Sequence, residues 1–284
     1  VPSQGIHLVF DKSFLPSDYA LMVPKTSDGR VLFAVPWHDK IIVGTTDTLI
    51  KSHSLEPIAL ESEIEFVLET AQRFLAKKPT RADVLAVFAG LRPLAAPEKE
   101  GQSTKEVSRS HKIFVSETGL ITITGGKWTT YRKIAEDIID KAISEKKLPK
   151  KECKTEHLSI RGNQKTSTLD RENHLYVYGS DIKNIMALQN NALELKEKIH
   201  PDYDFTMAEV AWAIRYEMAI TLDDILARRV RLLFLDSRAA ISSCEKVARF
   251  MAKELGKDEL WITNQISEFK TIANGFLLPE FRSN

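Results

Sequence analysis

The chain has 284 residues, 43% of them hydrophobic and 28% charged, with 40 Lys and Arg against 39 Asp and Glu. This balance excludes a disordered or low-complexity chain, and a net charge of +1 gives no argument for nucleic acid as a partner. The two cysteines, Cys153 and Cys244, make neither a disulfide framework nor a zinc motif, and no apolar run reaches the roughly 18 residues of a membrane span.

The first 125 residues have the pattern of a mainly antiparallel sheet. Ile6, Leu8 and Phe10 alternate with His7 and Val9, which is the period of a half-buried strand. Apolar residues at helical spacing over 56–77 predict one amphipathic helix that crosses the sheet. Turn residues separate the other strand-like runs, which lie at 19–23, 31–35, 41–43, 84–91, 113–115 and 120–123.

The pattern turns helical after residue 127. A helix is predicted over 129–143, with Ile134, Ile138 and Ile139 on its inward face. A small helical bundle is predicted near the end of the chain, and the helix that begins after Thr206 is expected to reach about Ala227. Local end signals mark its helices: Ser180, the Thr206–Glu209 capping box, Asp236 or Ser237, Gly256 and Asp258.

These patterns predict an α+β fold, in which an antiparallel sheet with a crossing helix precedes a C-terminal helical bundle. The sheet and the helix that follows it form a predicted domain over 1–145. The lysine-rich run at 146–151 opens a linker that extends to residue 164. The helical domain is predicted over 165–284.

The segment Gly125–Arg132 joins a strand end to a helix start and has the composition of a ligand loop. Its two glycines allow the backbone to approach a ligand closely. The free amides of a first helical turn and the charge of Lys127 favour an anionic or electron-rich group, and Thr129 and Thr130 add hydroxyls. The alternative is a glycine turn followed by a threonine cap.

Two arginines lie next to predicted strands and are candidates for binding a phosphate or carboxylate. Arg92 follows one strand, and Arg109 precedes another, with His111 two residues later. Bidentate hydrogen bonds would serve such a role, whereas a lone arginine at a strand end is usually solvated. His7 is a candidate base, since an imidazole titrates near neutral pH, but a structural role is the alternative.

The remaining signals are weaker. Gly44–Asp47 follows the end of a predicted strand, and its residues favour a structural turn over a role in lining the ligand site. The sequence contains neither a glycine-rich dinucleotide fingerprint after a strand nor a phosphate-binding P-loop. The other histidines lack metal-ligand spacing and are predicted to be surface residues: His38, His53, His157, His174 and His200.

In their combination and order, several segments over nearly the whole chain resemble the FAD-dependent glycerol-3-phosphate dehydrogenases, which have a glycine-oxidase-like flavoprotein fold. The family's Rossmann-type FAD domain has no counterpart here. Because the chain also opens without methionine, we expect a C-terminal fragment that is inactive alone. The resemblance rests on Gly5–Val9, Val43–Asp47, Gly90–Leu94, Ser108–Arg109, Gly125–Lys133, 209–219 and 221–229.

The resemblance implies that the intact protein oxidises sn-glycerol 3-phosphate to dihydroxyacetone phosphate by hydride transfer to FAD. Arg92 and Arg109 match family positions at the substrate, where they would bind the phosphate and the developing carbonyl oxygen. Lys127 would lie beside the flavin, and His7 would take the hydroxyl proton or orient the substrate. The implied cofactor-binding residues are Gly125, Gly126, Lys127, Trp128 and Thr129.

The resemblance also implies that electrons pass to a quinone or to oxygen. A quinone implies contact with a membrane surface, so we expect a cytoplasmic protein at the inner face of the cell membrane, with a homodimer as a further expectation. Arg228, Arg229 and Arg231 are candidates for that contact, or a solvated helix end paired with Asp223 and Asp224. Alternatives are an oxidase of glycerol phosphate or an amino acid, and a non-catalytic interaction module.

Overall fold

The structure is a computed structural model that describes residues 2–51, 54–93, 111–164, 170 and 173–282. Contacts between Cα atoms divide the chain into two compact units. We call the described parts of 1–3, 49–52 and 91–161 the hairpin unit. The described parts of 4–48, 53–90 and 162–284 form the sheet–helix unit. Two residues of the sequence analysis lie outside the described residues. They are Arg109, predicted to bind the substrate, and His53, predicted to lie on the surface.

A six-stranded sheet dominates the N-terminal part of the chain. The strands are β1 (Pro2–Asp11), β2 (Leu21–Val23), β3 (Leu32–Trp37), β4 (Lys40–Gly44), β5 (Thr48–Leu49) and β6 (Ala86–Pro93). The order along the sheet is β2-β3-β4-β1-β5, and β6 also pairs with β1. The pairs β1–β4, β2–β3 and β3–β4 are antiparallel, and His7 lies opposite Gly44.

One helix, α1 (Glu61–Phe74), crosses the sheet and buries Ile64 and Val67 against Ile6 and Leu8. The helix is shorter than the predicted 56–77, because the apolar residues that precede it stay largely exposed. Val9 points to the other face of β1 and is also fully buried, so the middle of this strand is not half-buried as predicted.

The hairpin unit contains an antiparallel hairpin, β7 (Lys112–Val115) and β8 (Ile121–Thr124), followed by α2 (Tyr131–Glu145). The hairpin and the helix confirm the sequence pattern. The predicted inward face of the helix is wrong in part, because the Ile139 side chain is 59% exposed and none of the described α2 residues is fully buried.

The C-terminal part is helical and shares one hydrophobic core, to which Trp212, Leu226, Val247 and Phe269 belong. Among the described residues, none of the helices is both long and apolar enough to cross a membrane. The helices are α3 (Ile182–Asn191), α4 (Leu193–Lys196), α5 (Met207–Glu217), α6 (Leu232–Leu235), α7 (Ser237–Leu255) and α8 (Glu259–Asn274), with a π-helical turn at Asp224–Arg229.

Two predicted helix ends in this part are wrong. The helix after Thr206 does not reach Ala227, because Met218 adopts a left-handed backbone with φ of 57° and ends α5 at Glu217. Ser180 is not the N-cap of α3, since it belongs to the preceding 3₁₀ segment and Asp181 takes that position. The α+β class, a mixed antiparallel sheet and helix followed by further helices, is confirmed.

Candidate active site

The loop between β8 and α2 has the backbone that the sequence suggests for a ligand loop. Gly125 and Gly126 have φ values of 77° and 92°, in the left-handed region that favours glycine. A Cβ on Gly126 would lie 2.5 Å from Cδ1 of Ile134, at the end of a side chain on the following helix, so the loop packs closely against that helix. Lys127 follows and is exposed to solvent.

The start of α2 is exposed and carries two stacked aromatic rings. Trp128, which is 85% exposed, stacks on Tyr131 with ring centroids 5.3 Å apart, and Thr129 is also exposed. The hydroxyl of Thr130 donates to the carbonyl of Lys127 at 3.0 Å instead of accepting from an amide of the helix. Thr130 is the N-cap residue of α2, but its side chain makes no capping hydrogen bond among the described residues, so the threonine cap offered as the alternative to a ligand loop is not formed.

His111 ties the hairpin to α2. Its Nε2 lies 2.9 Å from Oδ2 of Asp137, and Nζ of Lys133 lies 3.0 Å from Oδ1 of the same carboxylate. The Lys133 ammonium holds the pKa of Asp137 below its ordinary value; burial opposes this shift and the hydrogen bond to His111 adds to it. This cluster fixes the strand that follows the Arg109 segment to the helix that follows the glycine loop.

Of the predicted substrate arginines, the structure describes one. Arg92 is the second-last residue of strand β6 and lies within the hairpin unit. Its side chain is partly buried and has interaction partners within the protein. Arg109 lies outside the described residues. Arg92 and the Gly125–Thr129 loop therefore belong to one compact unit, while His7 belongs to the sheet–helix unit.

His7 lies in the middle of β1 and is partly buried. Its imidazole stacks on the ring of Phe88, with centroids 5.2 Å apart and planes inclined by 19°. Gly44 lies opposite His7 in β4. A Cβ on Gly44 would lie 2.5 Å from Cδ2 of His7, so only glycine leaves room for the ring. The strand therefore presents the imidazole in a narrow slot rather than on an open surface.

A buried carboxylate that the sequence analysis missed supports β1 beside His7. Glu63 is 3% exposed, and it accepts hydrogen bonds from Nε2 of Gln4 at 2.8 Å and from the hydroxyl of Thr46 at 2.7 Å. The Thr46 hydroxyl in turn accepts from the backbone N–H of Ile6 at 3.1 Å. Thr46 thus ties the end of β4 to β1, and the only signal in the sequence was an acidic residue in the first turn of an amphipathic helix.

Three of the histidines predicted on the surface are instead partly buried, because they lie where elements pack together. Nε2 of His174 lies 3.0 Å from the carboxylate of Glu209, a residue that is 1% exposed. His38 lies against Arg231, with 3.5 Å between Nε2 and Nη1, and His200 is the third. His157 is exposed, as predicted.

The arginines near the π-helical turn are engaged with their own neighbours. Arg228 pairs with Asp223 and Asp224, and Arg229 donates to the carbonyl of Glu217 at 2.6 Å. This favours the paired helix end over a free basic patch. Among the described residues, no group of three or more His, Cys, Asp or Glu side chains is arranged to hold a metal ion.

Comparison with known proteins gives the family. The model for the C-terminal domain of alpha-glycerophosphate oxidase matches residues 116–260, just over half of the chain. The model described as FAD dependent oxidoreductase matches residues 1–132. The chain is thus of the FAD-dependent oxidoreductase class. Within that class it belongs to the family that carries the C-terminal domain of alpha-glycerophosphate oxidase, which confirms the resemblance found in the sequence.

Two full-length relatives and one solved structure are similar to nearly all of this chain. The mitochondrial glycerol-3-phosphate dehydrogenases of Arabidopsis thaliana and Schizosaccharomyces pombe are 36% and 35% identical over 97% of it, and the chain spans 48% and 50% of their lengths. The X-ray structure of the Bacillus halodurans glycerol-3-phosphate dehydrogenase complexed with FAD has a TM-score of 0.81 at 27% identity, covering 100% of this chain and 58% of that one.

Proposed function

We propose that this chain is part of a FAD-dependent dehydrogenase that oxidises sn-glycerol 3-phosphate to dihydroxyacetone phosphate. The observation that carries the proposal is the Gly125–Thr129 loop, whose positive φ values and exposed lysine precede a helix start. Relatives named for this activity match nearly the whole chain and support the choice of substrate. The chain spans only about half of their length, so we infer that it turns nothing over alone.

The residues of the glycine loop fit a flavin. Gly125 and Gly126 allow close approach of the backbone, and Lys127, Trp128 and Thr129 are exposed beside them. We infer that these five residues contact FAD, with the Lys127 ammonium balancing negative charge on the cofactor. When bound, FAD supplies the acceptor for the hydride that leaves C2 of the substrate.

The chain's own side chains would bind the substrate and move its proton. Arg92 and Arg109 carry permanent charges in the planar geometry that suits a phosphate, so one binds the phosphate and the other the developing carbonyl oxygen. His7 accepts the C2 hydroxyl proton or orients that hydroxyl. Its stacking on Phe88 and its contact with Gly44 support this role, because a base must be held within hydrogen-bond reach of the proton it removes.

Several finer features also belong to this proposal. We infer that a quinone takes the electrons, with oxygen as the alternative acceptor, and that the intact protein contacts a membrane surface and forms a homodimer. We infer the predicted domains at 1–145 and 165–284, joined by the linker 146–164. A cytoplasmic location is tested by cell fractionation, and recovery in a mitochondrial fraction, as the names of the relatives suggest, overturns it.

The test is reduction of the flavin by glycerol 3-phosphate in the intact protein that contains this chain. We expect bleaching of the flavin absorbance, and Arg92→Ala should weaken it at least about tenfold, equivalent to about 1.4 kcal/mol. The control is Arg73→Ala, since Arg73 is an exposed arginine in the last turn of α1. Bleaching by an amino acid instead favours the oxidase alternative, and absence of bound flavin favours the interaction module.

A further inference from the structure

A row of four aromatic rings connects β1 with the helical part of the sheet–helix unit. His7 stacks on Phe88 of β6, at 5.2 Å between ring centroids. Phe88 meets Phe234 of α6 edge-on at 5.1 Å, and Phe234 meets Phe276, just after α8, edge-on at 5.1 Å. These distances and angles are those of favourable aromatic pairs. We call the four residues the aromatic column.

The backbone that leads into Phe88 is also held by the helical part. The N–H of Val87 donates to the carbonyl of Phe276 at 2.9 Å. The carbonyl of Leu85 accepts from the N–H of Ser237 at 3.1 Å and from its hydroxyl at 3.0 Å. Ser237 is fully buried at the start of α7. The strand that carries Phe88 is thus anchored to helices at two points, and its ring has little freedom to leave the imidazole.

Gly44, which lies opposite His7 in β4, limits the movement of the imidazole ring. Both β4 and β6 pair with β1, and the ring of His7 contacts the backbone of Gly44 in β4 and the ring of Phe88 in β6. A Cβ at position 44 would come within 2.5 Å of Cδ2 and 2.9 Å of Cγ of the imidazole. The sheet therefore blocks rotation of the ring toward Gly44, and the stacked ring of Phe88 limits its movement in turn.

We propose that Phe234 and Phe276 are positioning residues for His7, so that the helical part sets the orientation of the imidazole through Phe88. This inference rests on the proposed role of His7 in the reaction. An imidazole that can tilt away from the slot would spend less time within reach of the substrate hydroxyl, and a misplacement of about 1 Å can cost up to about a hundredfold in rate. Through this positioning of His7, the helical part would contribute to catalysis as well as to packing.

The direct test is NMR of the His7 imidazole protons in the 284-residue chain, with the signal assigned by its loss in His7→Gln. The face of a stacked phenyl ring shields protons above it, so Phe234→Leu should move the His7 signals toward those of an unstacked imidazole. Phe234→Tyr, which retains the ring, should leave them in place. Phe276→Leu acts on the other end of the aromatic column and serves if Phe234→Leu fails to fold.

Phe205→Leu is the matched control, because Phe205 is a buried ring of the same helical core that lies 5.7 Å from His174 and outside the aromatic column. It should shift His174 and leave His7 unchanged. If Phe234→Leu and Phe276→Leu fold and leave the His7 signals unchanged, or if Phe205→Leu shifts them equally, the inference is wrong.

Kinetics of the intact protein separate this inference from the proposed function. Phe234→Leu should lower kcat for glycerol 3-phosphate about tenfold with KM within about twofold, and Phe234→Tyr should restore it. A His7→Gln variant with unchanged kcat would refute the role of His7 in the reaction, although the NMR result could still show that Phe234 orients the ring. Loss of kcat in Phe234→Leu with unmoved His7 signals refutes positioning.

Discussion

At the scale of single residues, the buried acid Glu63 supports β1, the strand that carries His7. The Glu63 carboxylate accepts from Gln4 and Thr46, and also from the backbone N–H of Leu60 at 3.1 Å. All three groups are donors, so removal of the acid takes away their shared acceptor, while Nε2 of Gln4 keeps its hydrogen bond to the carbonyl of Ile58 at 3.0 Å. An unsatisfied buried donor costs more than the net value of the hydrogen bond it lost.

Glu63→Ala should therefore lower the free energy of unfolding by about 2–4 kcal/mol. Denaturant unfolding followed by far-UV circular dichroism measures this loss. Glu65→Ala is the matched control, because Glu65 is an exposed acid on the same helix, and it should change stability by less than about 0.5 kcal/mol. Equal effects of the two substitutions would show that the buried network contributes little.

His38 supplies a prediction about pH. Burial is the main cause that lowers the pKa of His38 below its ordinary value of 6.5, and the Arg231 guanidinium lowers it further; His174 acts in the same direction and Asp39 opposes both. Because the folded state disfavours the protonated ring, the stability linked to His38 is fully present above pH 6.5. It is lost as the pH falls through the lower pKa of the folded protein.

An NMR titration should place the midpoint of His38 below 6.5. Arg231→Gln should raise that midpoint without returning it fully, since burial remains. Arg228→Gln is the control, because Arg228 is paired with Asp223 and Asp224 instead. A midpoint at or above 6.5 in the unsubstituted protein contradicts the burial argument.

At the scale of elements, helix starts with a local chemical cause could be predicted from the sequence. Glu209 accepts from the backbone N–H of Thr206, Asp236 accepts from Ala239, and Asp258 accepts from Trp261, each within three residues. Such caps need nothing from the rest of the chain.

Helix ends and burial could not be predicted in the same way, because they depend on distant contacts. The hydrophobic pattern continues past Glu217, but the chain turns at Met218 so that Leu222 and Ile225 reach the core. The pattern on α2 marked Ile139 as inward, although a pattern shows only which face is apolar and not whether anything covers it. The burial of His174 against Glu209 carried no local signal either.

Arg81 links two elements and gives a further prediction. Its Nε and Nη2 donate to the carboxylate of Glu280 at 2.6 and 2.8 Å, and the same guanidinium pairs with Glu61 at the start of α1. This tie joins the 3₁₀ turn Pro279–Phe281 to the crossing helix. The hydrogen bonds from Arg81 are the main cause that lowers the pKa of Glu280 from 4.5 to about 2.

Glu280→Gln should cost less than about 1 kcal/mol at neutral pH, because the Glu280 side chain is 38% exposed and solvent screens the pair. A depressed carboxyl pKa contributes stability that is present above pH 4.5 and is lost as the pH falls toward about 2. The difference between the variant and the parent should therefore vanish in acid. Denaturant unfolding at several pH values measures it, with exposed Glu69→Gln as the control, and a difference that persists at pH 2 contradicts the ion-pair explanation.

At the scale of the whole molecule, the candidate site shows what spacing alone can predict. The glycine loop is contiguous in sequence, so its composition was enough to suggest a ligand loop. The slot around His7 is built from Gly44 and Phe88, with Phe234 packed behind Phe88, and these three residues lie far apart in the chain. Each is an ordinary residue in its own segment, and only the sheet pairing and the packing of α6 bring them together.

The anchoring of β6 also predicts how the sheet–helix unit unfolds. The crossing helix buries Ile64 in the sheet core, and the helices hold β6 through Ser237 and Phe276. Loss of the sheet would therefore remove the carbonyl and N–H partners of both helical anchors. Because these anchors join the two parts within one compact unit, we expect the sheet and the C-terminal helices to open together.

Ile64→Ala, which leaves a cavity in the sheet core, should lower the free energy of unfolding by about 2–5 kcal/mol. Native-state hydrogen exchange should then speed up equally for the slowest amides of β1 and of α7, although no residue of α7 belongs to the hydrophobic cluster that contains Ile64. Leu60→Ala, at a residue that is 44% exposed just before the same helix, should change both sets little. Faster exchange confined to the strands would mean that the helices fold independently, and that β6 is held to them more weakly than its hydrogen bonds indicate.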